Sequence, residues 1–194
     1  MLTIFNKERT NIWEFFALEI KAKFIKGISW RSDRTEINHN GRKIIFDNYT
    51  LWSGKYGQIM TRVVAPIVIT DNFRFEIYRQ TFPRNIGKIF GAQDIEIGRP
   101  DFDKEFIIKS NNGLKIKTLL QNQEIRHLIF LQKEVNIEIS DHKGVYEEKL
   151  PENHFELSFY ADGEIKDIEQ LKSLLGLFKA MLDKLDEMKA IATP

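Results

Sequence analysis

The spacing of apolar residues changes period several times along the chain, and each change marks an expected element. In "NIWEFFALEIKAKFIKG", Trp13, Phe16, Ile20 and Phe24 recur every three or four positions, the repeat of one helical face. Thr10 or Asn11 can cap that helix, and Gly27 can end it. A two-residue alternation then takes over. "TEINHNGRKIIF" sets Asn40-Gly41 between alternating runs, which predicts a hairpin whose turn wants positive φ at both central positions. "QIMTRVVAPIVITDNFRFEIYR" reads as a second hairpin turning at Asp71-Asn72. Ile59, Val63, Ile67 and Ile69 would share one face of its first strand, and Phe73, Phe75 and Ile77 one face of the second. Pro66 has no N–H to give a ladder, so its strand should be at an edge or bulged there.

Beyond the irregular stretch "QTFPRNIGKIFGAQ", residues 101–109 read as extended. Asp101, Asp103 and Glu105 would then lie on one face, with Phe102, Phe106 and Ile108 on the other. Asn111 and Asn112 are good caps for a short helix over "LKIKTLL", and Asn122 for a second over "NQEIRHLIFLQ". "VNIEIS" and "HFELSFY" alternate cleanly, turning Val135, Ile137, Ile139, Phe155, Leu157 and Phe159 inward, with a turn at Lys143-Gly144 between them. Their outer row of His154, Glu156, Ser158 and Tyr160 would be an exposed sheet face. A long helix closes the pattern, with Ile168, Leu171, Leu175, Phe178, Leu182 and Leu185 as its stripe. That stripe is wider than a coiled-coil seam and suits a helix lying across a sheet, a homodimer seam being the alternative.

The expected fold is α+β, one domain over residues 1–194. It has a curved antiparallel sheet of hairpin-linked strands, N- and C-terminal amphipathic helices, and a central pair of short helices. Composition agrees with a globular protein: 42% apolar, 29% charged, fifteen Phe. The 29 basic and 28 acidic side chains nearly cancel, so no strong positive field recommends nucleic acid as a partner. The charge is uneven, at +5 over Lys21–Lys43 and −8 over Glu134–Glu169, and two solvated faces that complement each other are the simplest reading. Cysteine is absent, which removes disulfides, thiolate metal sites and thiol nucleophiles. Neither a secretory signal pattern nor a spanning apolar run occurs, so a cytoplasmic place is expected, with contact at the inner membrane surface compatible with it.

The run "FDKEF" (Phe102–Phe106), the apolar pair Ile107-Ile108, the polar cap Ser110-Asn111-Asn112, two short helices, a strand–turn–strand and a terminal amphipathic helix together resemble a bacterial family of domains of unknown function. The resemblance is best over residues 94–188 and loose over 44–78. It implies a fold, and brings no activity and no catalytic residues.

The candidate chemistry is thin. Alternate acids on a strand could hold a divalent cation, but the wet face of a strand looks the same. His39, His127, His142 and His154 show no metal-ligand spacing. "WSGKYG" carries Gly-Lys, yet Tyr49 stands where a phosphate loop needs its first Gly. No catalytic residue, cofactor site or metal site is therefore assigned. Two stretches suit contact surfaces instead: the loop with Trp52 and Tyr56, and "TFPRNIGKIFG" with Phe82, Arg84, Lys88 and Phe90. The expected function is a non-catalytic binding module for a protein partner or a membrane surface. The alternative is an enzyme or small-ligand carrier with a pocket between the sheet and the C-terminal helix.

Overall fold

The computed structural model describes residues 11–29, 31–53, 55–80, 93–142 and 149–193. The first helix, α1 (Ile12–Glu19), is capped by Asn11, whose side chain accepts the Trp13 N–H at 2.9 Å. It stops well short of Gly27. Lys21 takes a left-handed φ of 55°, and the Ala22 N–H closes back on the Ala17 carbonyl, so Phe24 belongs to a strand, β1 (Lys23–Ile25). Gly27 is needed in the loop beyond, where a Cβ would meet the Arg31 carbonyl oxygen at 2.1 Å.

The first predicted hairpin forms as expected. β2 (Arg34–His39) and β3 (Arg42–Ser53) are joined by Asn40 at φ 51° and Gly41 at φ 82°. The second does not. β4 (Tyr56–Val68) and β5 (Phe75–Arg79) follow one another in sequence but never pair. The remaining strands are β6 (Gln93–Asp94), β7 (Phe106–Ser110), β8 (Asn136–Ser140) and β9 (His154–Asp162). The sheet order is β1-β2-β3-β4-β9-β8-β5-β7-β6, so β9 and β8 are inserted between β4 and β5. Every named pairing is antiparallel. Pro66 opposes Glu156 on β9, while the β3 ladder ends two residue pairs short of it, at Ile45–Val64; Pro66 therefore sits at a local edge.

The opening of the acidic stretch is helical rather than extended. Pro100 occupies the first turn of α2 (Pro100–Glu105), and Asp101 and Asp103 follow it, where acids suit the positive end of a helix. The strand begins only at Phe106. Phe102 remains buried, in a ring cluster with Phe106 and Phe130 at centroid distances of 4.5–5.4 Å. The short helices α3 (Gly113–Leu120) and α4 (Gln123–Phe130) are capped by Asn112 and Asn122.

The long helix α5 (Ile168–Glu187) is capped by Asp167 and lays Leu171, Leu174, Phe178, Met181 and Leu185, all fully buried, on the sheet. The opposing sheet face supplies Val63, Ile77, Ile137, Leu157 and Phe159. α1 covers the β1–β3 end, with Phe16 and Phe46 edge to face at 5.0 Å and Thr35 Oγ1 donating to the Trp13 carbonyl. One member of the basic run Lys21–Lys43 is neutralised by α5, where Arg42 pairs with Asp186 at 2.9 Å; His39 lies 2.7 Å from Asp183 on the same helix.

The packing makes two predictions. Phe178→Ala deletes a fully buried ring between α5 and the sheet, and urea denaturation should show a loss of about 3–5 kcal/mol. Burial alone would push the Glu36 carboxyl up, but hydrogen bonds and charge from Arg34 and Lys43 hold it below the usual carboxylate range. Its contribution is present above the unfolded-state pKa and is lost as pH falls through the lower folded value. Glu36→Gln should flatten that acid limb of a stability-versus-pH curve.

Candidate functional site

The feature that departs most from a closed sheet–helix sandwich is built by β3 and β4. β2 accompanies β3 only as far as Asp47, and β9 accompanies β4 only as far as Thr61. Beyond those points the two strands continue as a ribbon through Tyr49–Met60, Thr50–Ile59, Leu51–Gln58, Trp52–Gly57 and Ser53–Tyr56. Apart from a bridge between Met60 and Gly163, no other described strand flanks this arm.

The base of the arm is tied from both sides. Asn48 Nδ2 donates to Glu164 at 2.9 Å, and its carbonyl accepts from Ser32 Oγ at 2.8 Å. Thr61 Oγ1 donates to the Gly163 carbonyl and accepts the Ile165 N–H, at 2.9 and 2.8 Å. Gln58 donates to Asp162 at 2.6 Å. On one face, Arg62 forks onto both oxygens of Asp47 at 2.8 and 2.6 Å and stacks 5.2 Å from the Tyr49 ring centre. Tyr49 and Leu51 pack against the buried pair Met60 and Tyr160, the two tyrosine rings lying 5.6 Å apart.

The other face holds the exposed apolar residues. Trp52 is 69% exposed and Ile59 54%; Tyr56, opposite Ser53 at the end of the Tyr49 face, is 83% exposed. Trp52 is nevertheless positioned, because its ring lies across Gly57: a Cβ there would approach the ring carbons at 3.0–3.2 Å. Trp52 and Tyr56, which the sequence suggested as part of a contact surface, are both exposed. Ile59 shares its face with Val63 and Ile67, as its alternation predicted, but unlike them it is exposed. Phe82, Arg84, Lys88 and Phe90 lie outside the described residues.

The second face of the sheet is polar yet buried. Asp47, Arg62 and Tyr160 form one cross-strand row, and Ser158, Glu138, Glu76 and Lys109 another. Ser158 and Tyr160 are 2% and 1% exposed, so that half of the expected wet row on β9 is covered, while His154 is exposed and Glu156 half-buried. Burial raises the Tyr160 hydroxyl far above its ordinary value. Burial opposes the charge of Arg62, yet Asp47 more than offsets it and keeps the guanidinium protonated.

Of the acids Asp101, Asp103 and Glu105, only Asp103 serves the backbone of the described residues. Asp103 accepts the N–H groups of Ile97 and Arg99 at 2.9 Å each, Glu105 pairs with Arg79 at 2.8 Å, and Asp101 is exposed. Among the described residues no group of three or more His, Asp or Glu is arranged to hold a metal ion. His154 and Glu156 do line a cleft, of about 360 Å³, but with Arg42, Pro66 and Ala192 at the end of β4 and β9. The interface beneath α5 is filled by side chains instead. No helix among the described residues is long and apolar enough to cross a membrane.

No protein-family model and no curated protein matches the chain. Among solved structures, the chain is similar to the crystal structure of the mycobacterial trehalose monomycolate transport factor A, TtfA. The TM-score is 0.55 at 8% identity, over 89% of this chain and 91% of that one. At that identity the likeness is one of fold: an antiparallel sheet with helices packed on it.

Proposed function

We propose that this protein is a non-catalytic binding module, and that the β3–β4 arm is the element it presents to its partner. The carrying observation is the arm itself: a ribbon that outruns its neighbouring strands and holds Trp52, Tyr56 and Ile59 in solvent. Exposed large aromatics held in a fixed position make good anchors, because little side-chain freedom is left to lose on binding. A transport factor with this fold accords with such a role. The proposed place of action is the cytoplasmic face of the inner membrane, where the partner is a membrane protein or the membrane surface.

The constellation that looks most like an active site has a structural explanation. Asp47 and Arg62 neutralise each other at the root of the arm, with side chains 8% and 21% exposed. Asp47→Ala strands the guanidinium and should cost about 3–5 kcal/mol, whereas Asp47→Leu combined with Arg62→Met should recover most of that. Chemical denaturation of the three proteins measures it.

The binding role is tested by photo-crosslinking in cells. A crosslinking side chain at position 52 or 56 should capture a partner well above one at Leu114, which is comparably exposed at 78% but lies on α3, the helix that follows β7. Equal yields at the three positions, in a chain that also binds no membrane, would refute the arm as the contact element.

A further inference from the structure

The arm's end of the molecule has a particular charge pattern. Between Asp47 and Asp71 the chain contains no acid, and exposed Lys55 stands at the tip between Trp52 and Tyr56. The loop after β1 belongs to the same end, since Ser32 is bonded to Asn48. That loop offers exposed Lys26 and Ile28, the latter 79% exposed. The acids nearby are each hydrogen-bonded: Asp33 accepts the Gly27 N–H and an amide N–H of Asn11, Asp162 accepts from Gln58, and Glu164 from Asn48.

We infer that the arm docks on an anionic lipid surface. Trp52, Tyr56 and Ile59 enter the boundary between headgroups and acyl chains, while Lys26 and Lys55 meet the lipid phosphates. This rests on the binding-module reading and names its partner. Trp and Tyr are the side chains that favour the membrane–water interface, having an apolar body and a polar edge. Lysines near such a surface add attraction that a neutral bilayer does not supply.

Depth agrees with the same picture. Ile59 is three ladder steps below the Ser53–Tyr56 pair, roughly 10 Å at about 3.3 Å per residue, which fits an interfacial layer of about 5–10 Å. Deeper entry is opposed by the backbone. The outer edges of the ribbon carry N–H and C=O groups that hydrocarbon cannot satisfy. The arm is therefore built for shallow contact.

The test is sedimentation of the full chain with vesicles of equal parts phosphatidylcholine and phosphatidylglycerol, against vesicles of phosphatidylcholine alone. The unaltered chain should bind the anionic vesicles at least about tenfold more tightly, as two added lysine contacts would give. Trp52→Ala with Tyr56→Ala should weaken that binding by about tenfold or more, and Lys26→Glu with Lys55→Glu should remove the preference for anionic lipid. All four side chains are exposed, so the fold is retained. Absence of binding by the unaltered chain, or binding indifferent to these changes, overturns the lipid assignment. If crosslinkers at 52 and 56 meanwhile capture a protein, the binding module stands without it; if they capture nothing, both readings fall.

Discussion

Two strands in this sheet are longer than the strands beside them, and the architecture follows from how that mismatch is managed. β3 and β4 stay paired through Ser53–Tyr56, while β2 has already left at Asp47 and β9 at Thr61. A two-stranded ribbon in water is marginal by itself, because it buries little on either face. Here its root is fixed by the Asp47–Arg62 fork, by Asn48 and Thr61 bonded to the segment before α5, and by Tyr160 beneath Tyr49 and Met60. The sheet thus holds the arm at its base and leaves the tip uncovered. Burial and exposure coexist within a dozen residues of one strand.

The same sheet shows why a polar row is weak grounds for catalysis. Its helix-covered face is apolar from Phe46 to Phe75, and its other face carries Glu76, Glu138, Ser158 and Tyr160, all buried. Buried polar side chains need partners, so such a row is first a structural requirement. Asp103 makes the same point outside the sheet. It looks like one member of a carboxylate set, and it holds two backbone N–H groups at the start of α2.

Much of the fold was legible in the sequence where a local rule was decisive. Asn40-Gly41 announced its turn through the positive φ that both residues accept, and Asn112, Asn122 and the stripe of α5 behaved as caps and spacing foretold. What escaped were choices made by distant chain. Nothing near Asp71-Asn72 reveals that β8 and β9, from the far half of the sequence, separate β4 from β5. Nothing in the alternation of β4 tells that cover runs out before Ile59. Pro100 is the local signal for the difference: as a helix start it moves the opening of β7 from residue 101 to Phe106. The exposure of Trp52 and Tyr56 was legible because large aromatics beside Gly have no core to join at so short a turn. Lys26 and Ile28 become part of that surface only through the Ser32–Asn48 bond.

The account stands on the arm being an ordered ribbon in the free protein, paired within itself and uncovered outside. Amide hydrogen exchange at single-residue resolution reads both properties together. The account predicts that amides bonded between β3 and β4 from Tyr49 to Met60 exchange far more slowly than in an unfolded chain, while those pointing outward along the same strands exchange quickly. Uniformly fast exchange would mean that no ribbon exists, and uniform protection would mean that its edges are already occupied; either result contradicts the account.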